Sequence, residues 1–377
     1  MKICIVNCFD TYEHRVDLLL NTFKSLGHKA IVLTSDFRHI EKTKRNEKKS
    51  GYKFFRTEPY SKNLSFKRIK SHRHFSRDVS NYIKSNIEKI DLIWALIPPN
   101  SLVKDLSRIK VKYPKVKLIY DLIDLWPETM PVKKIKEFFP FTYWRDLRNK
   151  YINKADYIVT ECNLYQNKLK KILSASKVKT LFFSRPYEKY KPDLHLPNDK
   201  IALCYLGSIN NIIDIDTIVN IVKTFQMTKP VKLHIIGDGE KRERLITKVK
   251  ATGADVIYHG KIYDRQKKQF IFDGCHFGLN IMKSSVCVGL TMKSIDYFEF
   301  GLPIINNIKG DTWNIVESAN IGFNWNENTN TKMFSEYPLN LRKEVRLYFE
   351  NNLTDTTFKK NISDILLFVK GSAVNVK

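Results

Sequence analysis

Short apolar runs rich in β-branched residues alternate with segments of helical period, and this alternation constrains the fold more than any other feature. From the N-terminus the runs are KICIVNCF, KAIVLTSDF, KFFRTEP, LIWALIP, KLIYDLID, YIVTECN and KTLFFSRP. Strands and helices in alternation predict a parallel sheet with helices on both faces. The first helix is predicted from Val16 to Leu26, ending at Gly27 because glycine suits the position after a helix.

The alternation breaks at SRPYEKYKPDLHLPNDK, where three prolines and several charges favour a linker. It then resumes with IALCYLGSI, VKLHIIGDG, DVIYHGKI, FGLNIM, PIINNI and IGFNW. A chain of 377 residues fits two domains. The sequence therefore predicts two doubly wound α/β domains, residues 1–185 and 201–340, joined by a linker over 186–200. Residues 341–377 are predicted to be helical, with a terminal helix that can pack back on the first domain.

The six cysteines lie mostly in strand-like runs and form no Cys-x-x-Cys pair. They are typical of small core residues in a reducing compartment. The opening MKICIVNCFD has neither the length nor the cleavage pattern of a signal peptide. No apolar run approaches the roughly 18 residues that a spanning helix needs. We therefore expect a cytoplasmic protein.

The net charge of +26 is unevenly distributed. From Arg38 to Lys89 there are 16 Lys and Arg against 5 Asp and Glu, and aromatic residues interleave with the basic ones. Such a segment suits an anionic membrane surface, a polyanionic substrate or nucleic acid, and an ordinary solvated face is the alternative.

A second basic stretch, VKKIKEFFPFTYWRDLRNKYI, places Phe138, Phe139, Phe141, Tyr143 and Trp144 among lysines and arginines. Aromatic side chains beside cations are typical of a segment that lies at a membrane interface. They are equally compatible with core residues of two helices separated at Pro140. Both interpretations stay open at the level of the sequence.

In the second half, glycine and small polar residues follow four successive predicted strands. Ligands of open α/β sheets bind at the carboxyl ends of the strands, so these residues together predict a binding rim. They are Gly207, Ser208 and Asn210, then Gly237 and Asp238, then Gly260, Lys261 and Ile262, then Lys283.

Two motifs near this rim favour other chemistry at first sight. Asp214-x-Asp216 matches a metal-binding and nucleotide-binding motif, but it immediately precedes a helical segment, so one aspartate is better explained as an N-cap. Gly237-x-Gly239 lacks the third glycine of a dinucleotide fingerprint, since Arg242 stands there. A metal site and a nicotinamide-dependent dehydrogenase are therefore not expected.

The segment GLTMKSIDYFEFGLPII begins a predicted helix with a threonine and a lysine. Thr291 as the N-cap leaves the next amides free, and free amides at a helix start bind anions. Lys293 adds a full positive charge that a diphosphate can neutralise. Asp296, three residues on, can meet the other end of a ligand or simply pair with Lys293.

With these residues, nearly the whole chain resembles the GT-B glycosyltransferases, specifically the retaining family 4 type of capsule and lipopolysaccharide gene clusters. The resemblance implies that YLGSIN approaches the donor phosphates and that IIGDGE and YHGKI line the nucleotide. Asp296 takes the place of the second acidic residue of the family's paired-glutamate motif, which contacts ribose. The implied donor-binding set is Gly207, Ser208, Asn210, Gly237, Asp238, Lys261, Ile262, Lys283, Thr291, Met292, Lys293 and Asp296.

The chain departs from the family at two points. The first glutamate of the motif falls at Val288, and the basic residues that often follow the first glycine loop are replaced by Ser208, Asn210 and Asn211. This shifts phosphate binding onto Lys293, helped by Lys283.

In the first half, KLIYDLIDLWPETM resembles the Asp-x-Trp-Pro-Glu segment of many family 4 enzymes. The resemblance implies carboxylates for sugar hydroxyls and a flat apolar ring for a pyranose, and an N-capped turn with a buried tryptophan is the alternative. Asp124, Glu128 and Lys293 are the candidate catalytic residues. Asp10, His14, Arg15 and Trp126 are the candidate acceptor-binding residues.

We therefore expect a retaining glycosyltransferase that moves a sugar from a UDP-sugar to a glycan or lipid-linked saccharide in surface polysaccharide biosynthesis. It is expected to need neither a metal nor another cofactor, to bind no nucleic acid, and to work at the inner face of the cell membrane. The alternatives are a nucleotide-sugar enzyme of the same fold, such as an epimerase, and a basic protein that binds nucleic acid or another polyanion.

Overall fold

The computed structural model describes residues 1–63, 65–130, 137–189, 191–326 and 340–371. The chain divides into two compact units. Unit 1 is the chain up to Phe182 together with the segment from Lys359, and unit 2 is Phe183–Phe358.

Unit 1 is built on a seven-stranded parallel sheet in the order β5-β2-β1-β6-β7-β8-β9. Six of the seven apolar runs predicted in the first half form strands of this sheet, and the seventh, KTLFFSRP, contributes only Lys179 and Thr180 to the last strand. The central strand β6 is buried at every residue, as expected for a sheet covered on both faces. The strands are β1 Lys2–Asn7, β2 Lys29–Ser35, β5 Tyr52–Phe55, β6 Leu92–Ile97, β7 Lys117–Leu122, β8 Tyr157–Thr160 and β9 Val178–Thr180.

A small antiparallel pair, β3 Phe37–Arg38 with β4 Thr43–Lys44, was not predicted, because two-residue strands leave no period in the sequence. Helix α1 begins three residues before its predicted start, and Gly27 follows it with φ +77°, as predicted. The helices of unit 1 up to Phe182 are α1 Glu13–Ser25, α2 Phe66–Ser85, α3 Ser101–Lys112, α4 Phe141–Asn149 and α5 Asn163–Lys168.

Unit 2 has a six-stranded parallel sheet in the order β12-β11-β10-β13-β14-β15, again one strand for each predicted run. The strands are β10 Ile201–Leu206, β11 Val231–Ile236, β12 Asp255–Gly260, β13 Phe277–Asn280, β14 Ile304–Asn306 and β15 Gly322–Asn324. The helices are α6 Ile215–Gln226, α7 Arg242–Lys250, α8 Arg265–Asp273, α9 Met292–Glu299, α10 Asp311–Ala319 and α11 Asn340–Asn352.

Side-chain caps begin three helices of unit 2. The side chains of Asp214, Asp264 and Thr291 each accept a hydrogen bond from the backbone N–H three residues later, at the starts of α6, α8 and α9. Such caps satisfy amide groups that the first turn of a helix leaves unpaired. The predicted N-cap roles of Asp214 and Thr291 are confirmed.

The segment predicted as a linker runs along unit 2 over much of its described length. The amide of Arg185 donates to the carbonyl of Leu353 (2.9 Å), and the amide of His195 donates to the carbonyl of Asp273 (3.2 Å). Residue 190 of this segment, and residues 132–136 of the second basic stretch, lie outside the described residues.

The last helix, α12, spans Asp355–Gly371, and its residues from Lys359 onward belong to unit 1. There the Phe368 ring lies 5.0 Å from that of Tyr157, and Lys179 pairs with Asp364 at 3.3 Å. None of the helices in the described part of the chain has both the length and the apolar character needed to cross a bilayer.

Candidate functional site

The glycine loops of unit 2 lie together at one edge of its parallel sheet. The Gly207 amide donates to the carbonyl of Ile236 (2.9 Å), and the Gly237 amide donates to that of Gly260 (2.7 Å). The loops after β10, β11 and β12 are thus joined by backbone hydrogen bonds. The loops therefore lie next to one another, and binding of a ligand by the predicted rim stays a prediction.

Gly237 cannot be replaced without moving its neighbour. Its φ is +136°, and a Cβ built on it would lie 1.9 Å from the carbonyl oxygen of Gly207. The first two loops therefore approach each other at a distance that only glycine permits.

Polar side chains of the rim stabilise its loops. Asp238 accepts a hydrogen bond from the Gly239 amide (2.8 Å) and pairs with Arg242 (3.2 Å). The Gly239 amide is the main reason that the pKa of Asp238 is lowered. Asn210 accepts from the Ile212 amide (3.0 Å). Ser208, Lys261 and Lys283 are exposed, and Ile262 is half-buried.

The hydroxyl of Thr291 makes a second hydrogen bond besides the one that caps α9. Its oxygen lies 2.9 Å from Asn280 Oδ1, at the end of β13. The Asn280 amide in turn donates to Asn306 (2.9 Å), and the Asn306 amide donates to Asn324 (2.8 Å). This ladder joins the ends of β13, β14 and β15 to the start of α9. Its sequence signal is an asparagine one or two residues before the end of each run, which the sequence interpretation did not use.

Tyr297 attaches α9 to the central strand of unit 2. Its hydroxyl accepts from the Leu206 amide (2.7 Å) and donates to the carbonyl of Cys204 (3.1 Å). A Cβ on Gly278 would lie 2.8 Å from its ring, so the glycine makes room for the tyrosine. The start of α9 is therefore held rigidly beside the first glycine loop.

Lys293 is a buried cation that lacks a counter-charge. Only 8% of the residue is exposed, and its Nζ lies 4.7 Å from the centroid of the Tyr205 ring. Among the described residues it makes neither an ion pair nor a hydrogen bond through Nζ. Burial lowers the pKa of its ammonium group to about 7. The amides of Met292 and Lys293 likewise have no partner in the described part of the chain, so cation and amides together can bind an anion.

Tyr205 is therefore a site residue that the sequence interpretation missed. Its hydroxyl donates to the carbonyl of Ser208 (3.0 Å), which ties the ring under Lys293 to the first glycine loop. No local pattern connects Tyr205 with Lys293, because only the sheet brings β10 and α9 together.

Asp296 does not pair with Lys293, which corrects one of the two predicted roles. Its Oδ1 accepts two hydrogen bonds from Arg185 (2.8 and 3.0 Å), and its Oδ2 lies 3.6 Å from Lys268. These two cations neutralise Asp296, and no other described carboxylate pairs with Lys293.

In unit 1, Asp124 organises the segment after β7. It accepts hydrogen bonds from the Leu125 amide (2.8 Å), Trp126 Nε1 (2.7 Å), Tyr12 (3.2 Å) and the hydroxyl of Thr129. Burial raises its pKa in spite of these donors. The geometry matches the capped turn that the sequence left open as an alternative, and it gives Asp124 a role in positioning Trp126.

The ring of Trp126 makes a cation–π contact with Arg68. The guanidinium carbon of Arg68 lies 4.3 Å from the ring centroid, and the Arg68 residue is 4% exposed. Arg68 donates to the carbonyl of Asn63 (2.8 Å), but its Nη2 has no hydrogen-bond partner and no carboxylate pairs with it in the described part of the chain. Like Lys293, Arg68 is therefore a buried cation without a carboxylate partner among the described residues. The sequence interpretation did not identify it.

Three further residues of unit 1 were predicted to be catalytic or acceptor-binding, namely Glu128, Asp10 and His14. Glu128 forms a two-point ion pair with the buried Arg148 (2.7 and 2.9 Å). Asp10 accepts from the His39 amide (2.7 Å), and His14 is exposed at the start of α1.

The structure corrects the predicted acceptor-binding role of Arg15. This residue is 0% exposed and donates twice to Asp121 (2.8 and 2.9 Å) in the interior of unit 1. Its position after the first strand suggested an exposed loop, but α1 turns the side chain into the core.

The described ranges contain no group of three or more His, Cys, Asp or Glu residues placed to share a metal ion.

No protein-family model and no curated protein sequence matches the chain. Solved structures share its architecture at 12% identity. Sucrose-phosphate synthase from Thermosynechococcus elongatus matches with a TM-score of 0.70 over 99% of this chain and 100% of that one. The lipopolysaccharide outer core galactosyltransferase WaaB gives 0.67 over 97% and 99%. Anabaena HepE, solved with UDP and glucose, gives 0.63 over 97% and 99%.

These matches extend over nearly the full length of each chain. Together with the two parallel sheets, they show that this protein has the GT-B glycosyltransferase fold, as the resemblance implied.

Proposed function

We propose that this protein is a retaining glycosyltransferase that uses a nucleoside-diphosphate sugar, with a UDP-sugar favoured. The observation that carries the proposal is Lys293, a buried cation at the open N-terminus of α9 beside the first glycine loop. An anion at this position would satisfy both the ammonium group and the free amides. The fold is shared with HepE, which has been solved with UDP-glucose.

In the reaction, the bond between the anomeric carbon and the diphosphate oxygen breaks. An acceptor hydroxyl bonds to the same carbon and gives its proton to the departing diphosphate oxygen, which leaves with the electron pair of the broken bond. Lys293 and the α9 amides stabilise the charge that develops on the leaving group. Because they supply positive charge there, we expect turnover to persist when divalent metals are chelated.

The other predicted residues of unit 2 have roles around this centre, and those of unit 1 have roles in binding the acceptor. Gly207 and Gly237 allow the diphosphate to approach the backbone, and Lys283 adds a second cation. Asp238, Lys261 and Ile262 line the nucleotide, and Asp296 contacts ribose while still held by Arg185. In unit 1, Trp126 with its neighbours Asp124 and Glu128 binds the acceptor, as do Asp10 and His14.

The proposed acceptor is a glycan or a lipid-linked saccharide in capsule or lipopolysaccharide synthesis. The protein would then act as a peripheral enzyme at the inner face of a bacterial membrane. The exposed cations of unit 1 support this location, because an anionic membrane attracts basic surfaces.

A thermal-shift screen of nucleotide sugars tests the donor site. We expect a UDP-sugar to raise the melting temperature of the wild type and of Lys309→Met, but not of Lys293→Met. Lys309 is a matched control, since its Nζ also lies 4.7 Å above an aromatic ring, that of Trp313, but the lysine is exposed.

Three outcomes would contradict the proposal. If no nucleotide sugar stabilises the wild type, the donor site is refuted. Conversion of the nucleotide sugar with no acceptor present would identify an epimerase. Salt-sensitive RNA binding without any nucleotide effect would identify a polyanion-binding protein.

A further inference from the structure

A concave groove of about 520 Å³ lies on the helical surface of unit 1, between α2 and α3. We call it the α2–α3 groove. Its lining is predominantly basic, with a single acidic residue, Asp105. The basic residues are Lys70, Arg73, His74, Arg77 and Lys84 of α2 and Lys104 and Arg108 of α3.

Helical spacing places these cations in two facing rows. Lys70, Arg73 and Arg77 are three and four residues apart, so they share one face of α2. Lys104 and Arg108 are four residues apart and share one face of α3. From Lys70 to Arg77 this row extends over about 10 Å at 1.5 Å per residue, and Lys84 lies about 10 Å further along α2.

Most of this charge is not neutralised within the protein. Lys70 and His74 both contact Glu58 (3.1 Å each), and Arg77 pairs with Asp78 (3.0 Å). Arg73, Lys84, Lys104 and Arg108 form no ion pair with any described residue. Like charges that face each other across a groove attract an anion, because it reduces their mutual repulsion.

A buried hydroxyl in the same lining also lacks a partner. Ser80 is 4% exposed, and its Oγ is buried without a hydrogen bond in the described part of the chain. A buried hydroxyl that donates to nothing is destabilising. A ligand oxygen in the groove would accept a hydrogen bond from this hydroxyl, so Ser80 independently indicates an oxygen-rich ligand.

Exposed aromatic side chains flank the groove. Phe66 is 79% exposed and lies one turn before Lys70 on α2. On the α4 side, Phe139 is 72% exposed, and its ring lies 6.3 Å from that of Tyr143, which lines the groove. Large apolar side chains beside cations are typical of surfaces that enter the interface of a bilayer.

We propose that the α2–α3 groove binds the phosphate groups of anionic membrane lipids, while Phe66 and Phe139 enter the acyl boundary beside it. A soluble polyanion would neutralise the cations but leave both phenylalanines in water. A membrane lipid meets all of these requirements. Its phosphate group can pair with the arginines and accept a hydrogen bond from Ser80, and its acyl region can surround the phenylalanine rings. The inference extends the proposed function by locating its membrane contact, and its test requires no enzymatic activity.

Vesicle flotation of the full chain tests this inference. We expect binding to phosphatidylcholine vesicles that contain phosphatidylglycerol and none to phosphatidylcholine alone. Arg73→Gln combined with Arg108→Gln should reduce binding roughly thirtyfold, from the usual contribution of two basic residues near an anionic surface. Phe66→Ser should weaken the binding that remains at high salt.

The matched control removes two charges elsewhere. Arg56 and Arg244 are exposed and lie outside the groove lining. Arg56→Gln combined with Arg244→Gln should change vesicle binding by about twofold or less, because neither residue lies in the groove that contacts the lipid. An equal loss in both double variants would overturn the proposal, because net charge alone would then explain binding.

Two further results would also overturn it. One is failure of the wild type to bind anionic vesicles. The other is equally tight binding of free glycerol phosphate or an RNA oligonucleotide, which would identify a soluble ligand. A UDP-sugar thermal shift on the same variants separates the two hypotheses: if it is retained while vesicle binding is lost, the donor site is unaffected, and if it is absent throughout, the proposed function fails independently.

Discussion

The ammonium group of Lys293 lies 4.7 Å from the centroid of the Tyr205 ring, and that ring is tied by its own hydroxyl to the first glycine loop of unit 2. A cation–π contact offsets part of the cost of burying a charge, but it does not replace a counter-ion. Lys293 therefore remains a charge for which the free protein supplies no acid among the described residues. This property leads to the first two predictions.

Lys293→Met should stabilise the ligand-free protein by roughly 1 to 2 kcal/mol, because it removes a buried charge and keeps the volume. The pKa of Lys293 is lowered to about 7 in the folded state, against an ordinary value of 10.5. The charge therefore destabilises the folded state fully below pH 7, and its effect is lost as the pH rises towards 10.5. Urea unfolding should show that the variant has a much higher free energy of unfolding than the wild type at pH 6 and only a slightly higher one at pH 10. Equal gains at both would refute the assignment.

The affinity for UDP-glucose should fall as the pH rises above 7. The free protein then loses the Lys293 proton, and binding of the diphosphate must take it up again. The dissociation constant should rise by up to tenfold per pH unit, measured by calorimetry. The neighbouring phenol Tyr205 stays neutral in this range, because burial raises its pKa. Lys293→Arg keeps its charge and should bind with little pH dependence; a slope as steep as that of the wild type would place the titrating group elsewhere.

Gly237→Ala should disrupt the glycine loops, since its methyl group would meet the Gly207 carbonyl at 1.9 Å. The matched control is Gly260→Ala, which also has positive φ but no atom within 4 Å of the added Cβ. We expect the control to cost about 1 to 2 kcal/mol from backbone conformation alone. Gly237→Ala should cost more in urea unfolding and should also abolish the UDP-sugar thermal shift. Equal costs would show that the two loops separate easily.

Asp121→Ala should destabilise unit 1 by about 3 to 5 kcal/mol, because Arg15 would remain as a buried, unpaired charge. Asp121 also accepts from Trp94 Nε1 (3.0 Å), which would lose its partner. Asp78→Ala breaks the exposed pair with Arg77 and should cost less than about 1 kcal/mol. Comparable losses of unfolding free energy in the two variants would contradict the interior role of the Arg15–Asp121 pair.

Local sequence signals predicted much of the fold. Every strand of the two large sheets overlaps its own apolar run, and central strands such as β6 have consecutive apolar residues because both of their faces are buried. Asp214 and Thr291 begin their helices as predicted, since a cap depends on residues only three positions apart. The short β3–β4 pair left no such signal. Arg15 was assigned to an exposed loop because the predicted helix began at Val16, whereas α1 begins at Glu13 and buries Arg15.

The sequence by itself determined the two α/β sheets, the glycine loops at the edge of the second sheet and the Thr291 cap of α9, because these features depend on neighbouring residues and on strand direction. Only the tertiary structure decided which charges are neutralised. It paired Asp296 with Arg185 and Arg15 with Asp121, placed Lys293 over Tyr205, and brought the cations of α2 and α3 to one groove. Electrostatic pairing acts through space between distant residues, so the packing of the elements determines which charges remain available to bind a ligand.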